Sequence, residues 1–148
     1  MQTRIHIPTS KMIIVSISKE PASFAPGDSI EGTVEWTELN NKTNRLEIRL
    51  IWYTVGKGDV DVGIIDTIKH ESPMAEGSEQ FSFTAPTRPH SFSGKLISLI
   101  WAVEVVEFPS RDGVKETILL SPNGEEIVIL DSYPDKSMLG NYKKSLGE

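Results

Sequence analysis

The sequence feature that most constrains the fold is a long apolar segment, residues 95–106, that follows a proline-rich turn. Side chains of a β-strand alternate between the two faces of its sheet, so residues at every second position share one face. In this segment that face carries Ile97, Leu99, Trp101, Val103 and Val105. The opposite face is also apolar, apart from Ser98 and Glu104. A strand that is apolar on both faces lies in the middle of a sheet, so the segment predicts one long central strand.

Shorter segments on both sides show strand patterns, with apolar side chains at alternate positions and many β-branched residues. They are residues 11–18, 29–36, 45–54, 61–71, 79–84, 114–120 and 126–130. Between them lie turns rich in proline, glycine and asparagine, which interrupt a strand. The segments 45–54 and 61–71 are predicted to pair as a hairpin. The Asn123-Gly124 dipeptide predicts a second antiparallel hairpin between the last two strands.

About eight strands and no helix of ordinary length are predicted, and parallel strands would need long crossover connections. The sequence therefore predicts an all-β, antiparallel structure, either a sandwich or a barrel. The uneven lengths of the strands and loops favour the sandwich. Residues 1–131 are predicted to form one domain, because a chain of 148 residues has a single core by default. The tail, residues 132–148, would be flexible or form a short helix.

The composition of the chain excludes several classes of function. The chain has 21 acidic and 15 basic residues, and its net charge of -6 would repel nucleic acid. It contains no cysteine, which excludes disulfides, a thiol nucleophile and any cysteine-ligated metal. No segment approaches the roughly 20 apolar residues of a membrane span, and the first residues lack the pattern of a signal peptide. The sequence therefore predicts a soluble, cytoplasmic protein without a transmembrane segment.

Three motifs, taken in order along the chain, resemble the arrestin-like domain family. They are Phe24-x-Pro26-Gly27-Asp28-x-Ile30-x-Gly32-x-Val34, the alternating strand Leu46-Glu47-Ile48-Arg49-Leu50, and Phe81-x-Phe83 followed by Pro86-x-x-Pro89-x-Ser91-x-x-Gly94 and the strand that bears Trp101. The family includes arrestins, the arrestin-like retromer subunit and bacterial sporulation-control proteins of arrestin fold. The resemblance spans residues 12–130 and implies an immunoglobulin-like β-sandwich that binds other proteins and catalyses no reaction. Arrestins have two such lobes and this chain has room for one, so nothing that depends on the lobe interface carries over.

The sequence contains no recognisable motif for catalysis, for a cofactor or for a metal. Its histidines, His6, His70 and His90, are far apart and share no ligand spacing. Residues 59–66 include three aspartates, but the segment lacks the spacing and the closing glutamate of a calcium loop. We therefore predict a protein that is not an enzyme and that binds no cofactor or metal.

An open sheet edge is the predicted route to a partner protein or to a second copy, because its unpaired N–H and C=O groups accept a further strand. Two edges are candidates, the first strand and the hairpin at Asn123-Gly124, and charged residues flank the hairpin. The first strand instead carries the apolar run Met12-Ile13-Ile14-Val15, which makes it the predicted docking edge.

A carbohydrate-binding module is the alternative function. Trp36, Trp52 and Trp101 would then line a sugar-binding platform on the surface. All three tryptophans alternate with aliphatic neighbours on a strand face, which favours packing in the core.

Overall fold

The computed structural model describes residues 11–56, 58, 60–93, 97–122 and 127–128. Over these residues the chain forms strands and no helix, which confirms the predicted all-β class. The strands are β1 (Met12–Ile17), β2 (Ser23–Phe24), β3 (Ser29–Thr37), β4 (Arg45–Gly56), β5 (Val62–Glu71), β6 (Gly77–Thr84), β7 (Phe92–Ser93), β8 (Ile97–Phe108), β9 (Gly113–Leu120) and β10 (Ile127–Val128). Each predicted segment contains one strand, and the two-residue strands β2 and β7 lie in segments predicted as turns.

The strand β8 lies at the centre of the larger sheet, as its two apolar faces predict. On one side it pairs along its whole length with β4, and on the other side it pairs with β7 near its start and with β9 further along. The predicted hairpin of β4 and β5 is confirmed, and β5 forms an edge of this large sheet. The small sheet has the order β1-β3-β6, with antiparallel pairing throughout.

One cluster of buried apolar side chains draws on both sheets, an arrangement consistent with a sandwich. The small sheet contributes Val15, Ile30, Val34, Trp36, Phe81 and Phe83, and the large sheet contributes Leu46, Ile48, Leu50, Leu99, Trp101, Val103, Val105, Ile118 and Leu120. Trp101 is fully buried, Trp36 is 3% exposed, and Trp52 packs against the cluster from its margin. The prediction that the tryptophans pack in the core is confirmed for Trp36 and Trp101, whereas Trp52 is only partly buried.

Two short pairings are parallel, which corrects the prediction of a purely antiparallel structure. β2 pairs with β9 and β10 pairs with β7, over two residues each. The predicted hairpin between β9 and the last strand is therefore wrong as a pairing. The end of β9 is already engaged, because Leu119 donates to Ala22 of the β2 segment and Leu120 bonds with Ser91. The Asn123-Gly124 turn and residues 132–148 lie outside the described residues.

Candidate functional site

The Pro26-Gly27-Asp28 turn and the proline loop, which the sequence presents as separate motifs, are hydrogen-bonded to each other. The Gly27 amide donates to the Ala85 carbonyl at 2.8 Å, and the Ala85 amide donates to the Asp28 carbonyl at 2.8 Å. Gly27 has a φ of 87°, a conformation that glycine adopts without strain. The Asp28 carboxylate accepts from the Ala25 amide at 2.8 Å, which closes the turn on itself. These motifs hold the turn before β3 against the end of β6.

The proline loop is also tied to the large sheet. The Trp101 indole N–H donates to the Pro89 carbonyl at 2.7 Å, which satisfies a donor that would otherwise be buried without a partner. Ser91 is buried, and its hydroxyl accepts from the Leu120 amide at 3.0 Å. Pro86 lies at the start of this loop, whereas Gly94 lies outside the described residues. The contacts of Pro89, Ser91 and Trp101 are structural.

The predicted docking residues lie on β1, at an edge of the small sheet. β1 pairs with β3 on one side, and no strand among the described residues pairs with its other side. Val15 lies in the core and Ile13 packs against it, whereas Met12 and Ile14 point outward and are 55% and 47% exposed. The apolar run Met12-Ile13-Ile14-Val15 is therefore divided between the core and the solvent.

A buried carboxylate fixes the start of β1 to the turn between β8 and β9. The Lys11 ammonium donates to Glu107 at 3.2 Å and to Asp112 at 3.1 Å, and the Ser110 hydroxyl donates to Glu107 at 2.9 Å. Burial lowers the pKa of Lys11, but the hydrogen bonds to Asp112 and Glu107 outweigh it, so the pKa is raised. Glu107 is 3% exposed, and Lys11 supplies the positive charge that its carboxylate requires.

The outer faces of the two sheets, which are turned away from the core, differ in chemistry. On the small sheet the outward side chains of β3 and β6 are polar: Glu31, Thr33, Glu35, Ser78, Gln80 and Ser82. On the large sheet Ile51, Ala102 and Val106 are buried although they do not belong to the core cluster. Their position shows that the outer face of the large sheet carries apolar residues of its own.

One half of this outer face is charged. The Glu47 carboxylate accepts from Arg45 Nε at 2.7 Å and from Arg49 Nη2 at 2.8 Å. Burial raises the pKa of Glu47, but the hydrogen bonds from Arg49 and Arg45 outweigh it, so the pKa is lowered. Both guanidinium groups also lie over the Phe108 ring, at 4.4 and 5.5 Å from its centroid. The charges of Arg45, Glu47 and Arg49 are therefore paired with one another.

The other half of the outer face is apolar and exposed. Val55, Val62, Ile64 and Ile65, which we call the β4–β5 patch, are between 44% and 58% exposed. Ile65 is the extra residue of a bulge, because Leu50 pairs with Asp66 and Ile51 pairs with Ile64. The sequence predicted a strand here but gave no sign that these side chains face solvent. Three of the four residues lie on β5, an edge strand of the large sheet, and Val55 lies near the end of β4.

The described residues contain no group of three or more histidine, aspartate or glutamate side chains arranged to hold a metal ion. His70 Nδ1 contacts Glu79, and its ring packs edge-on against Trp36 at 5.0 Å between centroids. Asp61 and Asp66 are exposed, whereas Asp59 and His6 lie outside the described residues. The part of the chain that the structure describes contains no helix with the length and apolar character needed to span a membrane.

No protein-family model matches the chain, and no curated protein matches it. A comparison with solved structures does find matches. Two of them are the alkylpurine DNA glycosylase AlkC of Pseudomonas fluorescens, bound to DNA with an abasic site analog, and a β-glucosidase of Listeria innocua in complex with gluconolactone. They are 12% and 13% identical, cover 74% and 79% of this chain and 30% and 16% of their own chains, and have TM-scores of 0.38 and 0.42. These scores are too low to support any argument.

A third solved structure is Spo0M, a sporulation control protein from Bacillus subtilis that has an arrestin-like fold. It is 16% identical to this chain, covers 77% of it, and has a TM-score of 0.54. The chain spans 50% of the length of the Spo0M chain. At this level of identity the likeness concerns the fold alone. The resemblance that the three sequence motifs predicted is confirmed as a likeness of fold to an arrestin-like protein.

Proposed function

We propose that this chain is a non-catalytic protein-interaction module of arrestin-like type, an immunoglobulin-like sandwich that acts as a scaffold or regulator in the cytoplasm. A partner protein would add an extended segment to the free edge of β1. The arrestin-like fold supports an interaction role. The burial of Trp36 and Trp101 removes the aromatic platform that the alternative, a carbohydrate-binding module, would need.

The observation that carries this proposal is the geometry of β1. No strand among the described residues pairs with the backbone groups of its outer edge, and Met12 and Ile14 are exposed beside that edge. An added strand would gain main-chain hydrogen bonds from the edge and apolar contacts from these two side chains. The expected partner segment is therefore extended and carries apolar residues at alternate positions.

The other edges among the described residues suit a partner strand less well. β6 presents Ser78, Gln80 and Ser82 on its outer face, which offers no apolar contact. The bulge at Ile65 interrupts the regular ladder of β5, and bulges protect an edge against pairing. β1 has neither form of protection.

The proposal is tested by selecting binders from a displayed library of extended peptides and measuring their affinity for the wild-type chain and for two variants. Ile14→Lys places a charge in the docking surface, and we expect it to weaken binding at least about tenfold. Gln80→Lys makes a similar change at an exposed residue of β6 and serves as the matched control. If Ile14→Lys leaves the affinity of the selected peptides unchanged, the β1 edge is excluded as the docking site. Specific retention of the chain on a glycan array would favour the carbohydrate-binding alternative.

A further inference from the structure

The β4–β5 patch is the exposed part of an apolar band that crosses the outer face of the large sheet. Ile64 of β5 pairs with Ile51 of β4, and Ile51 pairs with Ala102 of β8. The adjacent row of paired residues consists of Val62, Tyr53 and Ile100. Side chains of directly paired residues lie on the same face of a sheet, so the two rows form one continuous surface. The equivalent face of the small sheet is polar, so the band is specific to the large sheet.

The size of the patch suits an occupant that is tethered to the same chain. Its four exposed residues present roughly 300–400 Å² of apolar surface, which is enough to mark an interaction site. An independent partner protein would need about 800 Å² on each side for a stable interface. A tethered segment needs less area, because its effective concentration is on the order of mM and most of the translational cost of association is avoided.

The chain that follows β10 starts at the apolar end of this face. β10 runs parallel to β7, and β7 runs antiparallel to β8, so β10 ends at the end of the sheet where β8 begins. β4 runs antiparallel to both β8 and β5, so the same end of the sheet carries the last residues of β4, with Val55, and the first residues of β5, with Val62. Residues 129–148 therefore continue from a point close to the β4–β5 patch.

Residues 136–147 have the sequence pattern of an amphipathic helix. At 3.6 residues per turn, the four apolar residues of this segment fall within an arc of about 100°. They are Met138, Leu139, Tyr142 and Leu146, and the three lysines of the segment fall outside the arc. Asp135 stands at the N-cap position, where aspartate is favoured. Gly140 weakens such a short helix in isolation, so the helix requires an apolar surface on which to form.

We propose that residues 136–147 form an amphipathic helix that packs its apolar side on the β4–β5 patch of the same chain. The linker, residues 129–135, reaches at most about 23 Å when it is extended. The distance from β10 to β5 is four strand spacings, or about 19 Å, so the linker can place the helix on any strand of the apolar band. The lysines of the helix then face solvent. This contact leaves the β1 edge free, so it goes beyond the proposed function and does not depend on it.

The test is paramagnetic broadening of NMR signals in the full chain. The chain has no cysteine, so Lys143→Cys introduces a single thiol for a nitroxide label on the polar side of the proposed helix. We expect the label to broaden the signals of Val62 and Ile64. It should leave unchanged the signals of Thr33 and Ser82, which lie on the outer face of the small sheet.

Ile64→Lys tests the patch, because it places a charge where the helix packs. The broadening should be lost, and the hydrogen-exchange rates of the amides of residues 138–146 should rise at least about tenfold. Ile64 is 53% exposed, so the change leaves folding intact. Ile14→Lys is the matched control and should leave the helix docked. Conversely, Ile64→Lys should leave peptide binding at β1 unchanged, so a failure of one proposal is distinguished from a failure of the other.

A second pair of variants tests the helix without touching the sheets. Tyr142→Asp places a charge within the apolar arc and should abolish the broadening, whereas Asn141→Asp makes a similar change outside the arc and should leave it intact.

Other occupants of the patch give different results. A mixture of spin-labelled chain and isotope-enriched, unlabelled chain reports only contacts between copies, and we expect no broadening in it. Broadening in that mixture would assign the patch to the tail of a second copy and overturn the proposal. Patch signals that the label leaves unchanged in the chain without further substitutions, or broadening that survives Ile64→Lys, would also overturn it.

Discussion

Replacement of Trp101 by alanine is the most direct test of the core. Trp101 is 0% exposed at the centre of β8, and its removal leaves a large cavity between the two sheets. Such a truncation costs about 3–5 kcal/mol. The Pro89 carbonyl also loses the hydrogen bond that it accepts from the indole N–H. A domain is stable by about 5–15 kcal/mol in total, so the variant should lose a large share of its stability.

The measurement is urea unfolding, with thermal unfolding beside it. A loss of about 4 kcal/mol lowers Tm by roughly 8–16 °C in a domain of this size. Trp101→Phe separates the two causes, because it keeps most of the apolar volume and removes the N–H, and it should lose about 1–3 kcal/mol. Trp52→Ala, at the margin of the core, should lose less than Trp101→Ala. A loss below about 1 kcal/mol for Trp101→Ala would refute the assignment of β8 to the centre of the core.

Two further predictions concern a turn and a charge. Gly27→Ala should destabilise the chain by about 1–2 kcal/mol in urea unfolding, because alanine must then adopt a φ of 87°. The added Cβ meets no atom within 4 Å, so the loss comes from the backbone conformation and not from a clash. An unchanged unfolding midpoint would mean that the turn relaxes. Glu47→Gln should destabilise the chain at neutral pH and not in acid. The pKa of Glu47 is lowered in the folded state, so its contribution is present above the unfolded pKa of about 4.3 and is lost as the pH falls through the folded pKa. A deficit that is equal at pH 7 and in acid would contradict this reasoning.

The sequence alone was sufficient to predict the class of fold, because strand patterns depend on local alternation. Residues 97–106 showed an apolar pattern on both faces, and β8 lies in the middle of the large sheet. The hairpin of β4 and β5 followed from two alternating segments around a glycine-rich turn. The order of the Pro-Gly-Asp and proline-loop motifs predicted the arrestin-like fold, although their contact through Gly27, Asp28 and Ala85 could not be seen from the sequence.

Contacts between residues that are distant in sequence could not be predicted from the local sequence pattern. Lys11 reaches Glu107 and Asp112, which lie about a hundred positions further along the chain, and nothing near any of them in sequence indicates the contact. The Asn-Gly signal at 123–124 led to a wrong hairpin prediction because it describes the turn alone. It carries no information about the other residues that bond to the end of β9. Leu119 and Leu120 are engaged by the β2 segment and by Ser91, so β10 pairs with β7.

The exposure of the β4–β5 patch follows from topology and not from sequence pattern. Val62, Ile64 and Ile65 have the same residue types as a buried strand, and the same pattern in β8 is buried because β4, β7 and β9 flank it. β5 has a neighbour on one side only, and the bulge inserts an additional isoleucine, Ile65, which is 44% exposed. An apolar strand at an edge gains no stability from its exposed side chains in the monomer. Their burial therefore requires a further segment of the chain or a second molecule.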